Sequence, residues 1–276
     1  MKPLLIVDGD SLAHRAYHAL PSSMRDGDGR PANMVIGFAN MLTALWDSEQ
    51  PRTVFAGFDT LTVPTYRHEL LPGYQAGRDF PEELTRQLDL LPELVQALGF
   101  AWAKEAGYEA DDFLAAAALD ETNRGGQSLV VTSDRDLYQL ASESVTLLMP
   151  KRGVSQLDRV GPPEVRERYG VEPEQVPEFV ALRGDPSDRI PGARGVGPAK
   201  AAAVIVEHGT LEGALAAGRF AAEADDLRTY LKMTRLLADA PLPPLPDAAP
   251  DWATAAELTE RWGLKRLSER FRARAE

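Results

Sequence analysis

The chain of 276 residues is 44% hydrophobic and 26% charged, enough for one large or two small globular cores and incompatible with disorder as its main state. It has no cysteine and 4 histidines, which excludes disulfides, thiolate zinc sites, iron–sulfur clusters and cysteine nucleophiles while leaving hard-metal oxygen chemistry open. A net charge of −12 argues against a basic nucleic-acid surface spread over the whole molecule. No apolar run reaches the roughly 20 residues of a membrane span, and the first residues show no signal-peptide pattern, so a soluble cytoplasmic protein is expected.

Leu4-Leu5-Ile6-Val7 reads as a buried parallel strand that stops at Asp8-Gly9-Asp10, with a helix following through His18. Met34 to Trp46 has apolar residues at helical spacing, and Thr53 to Phe58 reads as a second strand closing at Asp59. Residues 60–81 lack apolar periodicity. Residues 82–98 and 110–120 read as helices, Leu129–Thr132 and Val145–Leu148 as strands. This alternation predicts an α/β fold with a doubly wound, mainly parallel twisted sheet flanked by helices. Beyond about residue 160 strand signals cease and helices bounded by Pro or Gly are predicted at 163–169, 174–183, 199–208, 211–217 and 221–238. Five prolines in residues 240–250 mark an extended connector before amphipathic helices over 253–274. The expected organisation is an α/β core over 1–160, an all-helical subdomain over 161–239, and a connector with terminal helices over 240–276 that pack on the core.

In open α/β sheets the functional crevice lies at the carboxyl ends of the strands, and three predicted strands end in Asp8, Asp59 and Asp134. Glu109-Ala110-Asp111-Asp112 opens a helix, Asp134-Arg135-Asp136 follows a strand, and Asp185 and Asp188 form a further pair. Any one of these carboxylates is unremarkable as a solvated group or helix cap, but nine converging without a cation would repel strongly. Oxygen-only donors point to Mg²⁺ or Mn²⁺, and the excess over one octahedron points to two ions roughly 4 Å apart, an arrangement suited to in-line phosphodiester hydrolysis. Setting the nine aside leaves −3 on the rest of the chain, which softens the objection from net charge.

Pro191-Gly192-Ala193-Arg194-Gly195-Val196-Gly197-Pro198-Ala199-Lys200 reads as a glycine-rich hairpin with proline in the first turn of the next helix. Free amides at such a turn, with Arg194 and Lys200, suit sequence-independent contact with a DNA backbone; a tight interhelical turn is the plainer alternative. In the aperiodic segment, Tyr74 could stack on a base while Arg67 and Arg78 contact phosphate. His14 and His18 lack the glutamate of an H-E-x-x-H pattern and read as helix-face residues.

Five ordered blocks carry a resemblance to a known family: Val7-Asp8-Gly9; Phe58-Asp59 with Tyr66-Arg67-His68-Glu69; Gly107-Tyr108-Glu109-Ala110-Asp111-Asp112; Thr132-Ser133-Asp134-Arg135-Asp136-Leu137-Tyr138-Gln139-Leu140; and Gly184-Asp185-Pro186-Ser187-Asp188 with Pro191-Gly192. Along nearly its whole length the chain resembles the 5′-nucleases: the nuclease domain of bacterial DNA polymerase I, phage 5′-exonucleases and flap endonucleases. The resemblance implies a PIN-like core in which Asp8, Glu109, Asp111, Asp112 and Asp134 surround one metal, Asp136, Asp185 and Asp188 surround the other, and Asp59 acts through water. It also implies an arch or clamp over 60–81, with Arg67, Tyr74, Gln75 and Arg78 near the 5′ end of the substrate. A helix-hairpin-helix over 184–208 would hold duplex DNA through Arg189, Arg194, Gly195, Val196, Gly197 and Lys200, with K⁺ as a further cation. Two departures stand out, Gln75 where the family usually has lysine and Arg189 where it usually has asparagine.

The resulting expectation is a metal-dependent flap endonuclease and 5′-3′ exonuclease, a catalytic hydrolase in primer removal and repair. Asp8, Asp59, Arg67, Arg78 and Asp136 are its catalytic candidates. Its expected partners are DNA with a 5′ flap or 5′ end, RNA–DNA hybrid primers, and DNA polymerase I or a sliding clamp; it is expected to be a monomer associated with a bacterial nucleoid. The chain is read as either a stand-alone enzyme or an excised domain. The rivals are a catalytically silent branched-DNA binding protein, favoured by Gln75 and Arg189, and a related RNase.

Overall fold

Strand β1 (Leu4–Asp8) is buried along its whole length because it pairs in parallel on both sides, with β2 (Thr53–Gly57) and with β4 (Ser128–Val131). The protein is described by a computed structural model that covers residues 2–61, 63–75 and 80–276. Between β1 and β2 lie α1 (Gly9–Ala19) and α2 (Asn33–Glu49). Then come the short α3 (Tyr66–Leu70), α4 (Glu82–Ala97), β3 (Ala101–Ala103) and α5 (Ala110–Asn123) before β4. A 3-10 turn (Asp136–Leu140) leads to β5 (Val145–Arg152) and β6 (Gln156–Val160). The strands run in the order β3-β2-β1-β4-β5-β6, all parallel except the β5–β6 hairpin.

The order reverses at β1: the chain first moves outward through β2 and β3, then returns to the other side of β1 with β4. Such a switch leaves a crevice between the carboxyl ends of β1 and β4 that no connection crosses.

The period-two alternation of strand side chains sends Leu4, Ile6, Phe55 and Val130 to one face, and Leu5, Val7, Val54 and Val131 to the other. The first face packs on α5 and on α6 (Pro162–Tyr169), α7 (Val176–Arg183), α8 (Pro198–His208), α9 (Leu211–Ala216) and α10 (Ala224–Thr234). The second packs on α1, α2 and α4, and on α11 (Trp252–Arg261) and α12 (Lys265–Ala275), which return through the extended segment at 240–250. Among the described residues, no helix is long and apolar enough to cross a membrane.

The expected α/β sheet flanked by helices is the one found. Two strands escaped the sequence reading, β3 because it is three residues long and β6 because its Gln-Leu-Asp-Arg-Val is an edge strand, mostly polar. Residues 174–183 and 221–238 divide into short 3-10 turns (Pro173–Gln175 and Ala221–Glu223) followed by α7 and α10. Segment 60–75 contains one short helix, α3, whose entry is fixed by the Thr65 N–H donating to His68 Nδ1 at 3.1 Å.

Candidate active site

Loops at the carboxyl ends of β1, β2 and β4 open onto one cleft of about 340 Å³, which is lined by Asp8, Asp10, Asp59, Glu109, Asp111, Asp134, Asp136 and Asp188. Asp8 caps α1: its Oδ1 accepts the Ser11 N–H at 2.9 Å and its Oδ2 accepts the Thr132 hydroxyl at 2.8 Å. The same Thr132 oxygen accepts the Asp134 N–H at 3.0 Å, and Asp134 Oδ1 accepts the Asp136 N–H at 2.8 Å. One hydroxyl therefore ties together the two strand ends at the switch point. From β2, Asp59 Oδ1 accepts the Ala110 N–H at the start of α5 at 2.6 Å, and the Asp59 N–H donates to Asp10 Oδ2 at 2.7 Å. A larger cavity of about 630 Å³ lies around Arg52 at the opposite end of the sheet, but Arg52 is already paired with Glu121 at 2.5 Å and Asp247 at 3.0 Å.

Burial raises Asp8, Asp10, Glu109, Asp111 and Asp136, and repulsion from neighbouring carboxylates raises them further. Asp8 is pushed up to about 7 by burial, against its bonds from Ser11 and Thr132 and with Asp59 and Asp134 adding. Glu109 also reaches about 7, by burial opposed by Arg67 and reinforced by Asp59 and Asp112. Asp136 reaches about 8 through burial and then Asp134, Asp185 and Asp188, with Arg183 opposing. Asp10 and Asp111 stand well above the ordinary range for the same two reasons. Buried acidic oxygens with so little compensating charge fit a hard divalent cation, and His14 is the one histidine among the lining residues. Among the described residues, no three acidic or histidine side chains are gathered into a ready-made metal cage, as expected of like charges without a cation between them.

Several candidates are placed elsewhere than the sequence reading put them. Arg67 and Asp112 form a buried bidentate pair, Nη1–Oδ2 at 2.9 Å and Nη2–Oδ1 at 2.8 Å, while Arg67 Nε donates to the Met233 carbonyl at 3.0 Å. The Asp112 oxygens also accept the N–H groups of Glu109 and Leu237. With exposures of 2% and 0%, both are buried: each Asp112 oxygen already accepts two hydrogen bonds, and Arg67, although it lines the cleft, is turned to Asp112 and the Met233 carbonyl. Burial opposes the Arg67 charge, but Asp112 and Glu109 outweigh it and hold it protonated.

Tyr74 is likewise buried rather than offered for stacking. Its hydroxyl donates to Glu109 Oε2 at 3.1 Å and accepts from Gln75 Nε2 at 2.8 Å. Glu109 also accepts the Thr65 hydroxyl at 3.0 Å and lies 3.3 Å from Arg67, so it holds segment 65–75 against α5. Arg78 lies outside the described residues.

Asp185 is not in the cleft lining: it accepts from the Ser187 N–H and hydroxyl and pairs with Arg183 at 3.3 Å, although its charge reaches Asp136. The loop that carries Asp185 and Asp188 is pinched by the Asp185–Ile190 bridge and by Gly184 and Gly192, whose backbones touch and whose φ angles are 77° and 70°. Arg189 is exposed with a left-handed φ of 59°.

Between α7 and α8, Arg194, Gly195 and Gly197 are exposed, as is Lys200 in the first turn of α8, and the Gly195 and Gly197 amides make no hydrogen bond among the described residues. Val196 instead anchors the hairpin: its side chain is buried and its N–H donates to the Ala193 carbonyl at 3.1 Å, which leaves it no amide for DNA. Sequence reasoning missed Asp10, although Asp8-Gly9-Asp10 at a strand end placed it in the first turn of α1, above the same crevice.

Residues 3–170 match the family description 5′-3′ exonuclease, N-terminal resolvase-like domain, and residues 171–249 match 5′-3′ exonuclease, C-terminal SAM fold. A 5′-3′ exonuclease of Mycobacterium tuberculosis is 34% identical over 302 residues, covering 95% of this chain and 94% of that protein. DNA polymerase I of Mycobacterium leprae is 43% identical over 256 residues, 87% of this chain; the match takes in only 28% of the polymerase. Among solved structures, the T5 D15 protein co-crystallised with metal ions superposes with a TM-score of 0.72 at 20% identity, covering 99% of this chain and 100% of that one. At that identity the likeness is one of fold.

Proposed function

The chain belongs to the 5′-3′ exonuclease family, and from that premise we propose that it is a divalent-metal-dependent, structure-specific nuclease that incises 5′ flaps and digests DNA from 5′ ends. The observation that carries this reading is the gathering of eight carboxylates in one cleft at the topological switch point. The residues suited to hold two Mg²⁺ or Mn²⁺ ions are Asp8 and Asp134 at the strand ends, Asp10 and Asp111 in the first turns of α1 and α5, and Asp136 and Asp188 on the side of the helical subdomain. Ions held there would supply a water of lowered pKa and positive charge for the leaving oxygen.

The chain's own groups prepare that chemistry. Thr132 and Ser11 fix the Asp8 carboxylate, and the start of α5 fixes Asp59. The Arg67–Asp112 pair joins α3 and α5 to the end of α10 and the segment after it, and so ties the wall of the cleft to the helical region. The exposed amides of Gly195 and Gly197, with Arg194 and Lys200, are suited to gripping a duplex through its phosphates without reading bases, with K⁺ a further candidate there. DNA polymerase I, a sliding clamp and RNA–DNA hybrid primers are partners that fit this role, as does action as a monomer.

The test is cleavage of a 5′-labelled flap duplex with Mg²⁺, Mn²⁺ or EDTA, beside a matched RNA flap. Metal-dependent incision near the junction is expected. Tight binding without product under every metal would instead favour a silent branched-DNA binding protein, the reading that Gln75 supports by placing a neutral amide in the cleft lining.

A further inference from the structure

The hairpin between α7 and α8 already holds an anion of the protein's own. The Arg194 backbone N–H faces the Glu223 carboxylate, 3.2 Å from Oε1 and 3.4 Å from Oε2. Glu223 comes from a separate element, the 3-10 turn Ala221–Glu223 between α9 and α10, which leaves Phe220 with a left-handed φ of 54°. Asp225 and Asp226 follow directly, so the turn adds to the negative charge at this end of α10. Among the described residues, Glu223 forms no ion pair with a lysine or arginine side chain, and its carboxylate accepts from the Arg194 amide. A carboxylate without a cation is thus seated on a hairpin amide beside the unbonded amides of Gly195 and Gly197, and it bears the sign of charge that a phosphate oxygen would bring there.

We infer that Glu223 sets the duplex affinity of the hairpin: its carboxylate holds the Arg194 amide in the free protein and must swing aside when a DNA backbone phosphate takes that amide. This rests on the reading of the hairpin as a duplex grip. A phosphate at Gly195 and Gly197 would lie against Glu223, and two anions at contact distance repel. The restraint on Glu223 is slight, because both its bonds are long and it is half-exposed. Displacing it is therefore feasible but unfavourable, and the hairpin releases a duplex more readily than its bare amides would. The contrary role is a brace, in which Glu223 holds the hairpin in shape and its loss weakens binding.

The two roles predict opposite signs. Binding of a fluorescein-labelled blunt duplex is measured by anisotropy with the full chain in metal-free buffer, for the wild type, Glu223→Gln, Glu223→Ala and the Arg194→Ala/Lys200→Ala double variant. Both Glu223 variants should bind about three- to tenfold more tightly at roughly 50 mM salt, with the gain shrinking towards parity near about 300 mM as screening removes the repulsion. Unchanged or weaker binding by Glu223→Gln, with an unchanged melting temperature, overturns the inference; so does a loss of binding accompanied by a lower melting temperature, which identifies a brace. The double variant should bind more weakly. If it binds like the wild type, the hairpin is not the duplex grip and the inference falls with that reading, whereas a weakened double variant beside untightened Glu223 variants sinks the inference alone.

Discussion

Asp136 is raised to about 8 by burial and by Asp134, Asp185 and Asp188, with Arg183 the opposing charge, so a bound cation would relieve it. Asp136→Asn removes a ligand charge and keeps the shape. It should lower flap cleavage by about 100-fold or more while duplex binding holds or tightens, since one negative charge has left the cleft; full activity in a gel assay would remove Asp136 from the mechanism. Asp112 calls for a different test, because its oxygens are spent on Arg67 and on two backbone amides. Asp112→Ala strands a buried guanidinium and should cost about 3–5 kcal/mol in urea unfolding even without metal. A metal ligand with no structural role would leave metal-free stability unchanged, so the urea curve separates the two assignments. At Gln75 the cleft has a neutral amide, and Gln75→Lys adds a cation where negative charge develops during phosphodiester cleavage. Single-turnover cleavage should accelerate by roughly tenfold, and no acceleration would mean that the charge is supplied elsewhere.

The elements divide by how locally their causes are written. β1, β2 and β4 were legible because a strand covered on both faces is a run of apolar residues, and Asp8, Asp59 and Asp134 were legible because those runs end at them. β6 was not, since an edge strand is mostly polar on purpose of solubility, and β3 is too short to show a period. Arg67 and Tyr74 were read as substrate contacts because they are cationic and aromatic in an aperiodic segment. Their partners Asp112 and Glu109 lie 45 and 35 residues away, and no local pattern reveals a pairing at that range. The loop at 184–192 shows how an element delivers a residue. Gly184 and Gly192 touch backbone to backbone, and a Cβ on Gly192 would sit 2.4 Å from the Gly184 nitrogen. Gly192→Ala should therefore spread the loop, shift Asp188 and cut cleavage by about tenfold or more, with helical content by circular dichroism unchanged; wild-type turnover would show that the pinch does not position the carboxylate.

For the whole molecule, the acidic cleft links stability to pH and to metal. Asp8, Glu109 and Asp136 hold their protons more tightly when folded, at about 7, 7 and 8, than at their ordinary values of 3.8, 4.5 and 3.8. Between those limits the folded state binds more protons than the unfolded one, so the metal-free protein loses stability as pH rises from about 4 to 8 and is level above that with respect to these groups. Net repulsion in a chain of −12 acts in the same direction. The comparison belongs between about pH 5.5 and 8, the interval in which these three groups lose their protons in the folded state. Over that interval the melting temperature in EDTA should fall by roughly 5 °C. A divalent ion replaces the bound protons and should be worth more at pH 8 than at pH 5.5, flattening or reversing the slope. Scanning calorimetry with EDTA, Mg²⁺ and Ca²⁺ at both pH values measures this directly. A metal-free melting temperature that does not change with pH, or a metal effect of equal size at both, would mean that the carboxylates are compensated within the protein and that the cleft is not built around a cation.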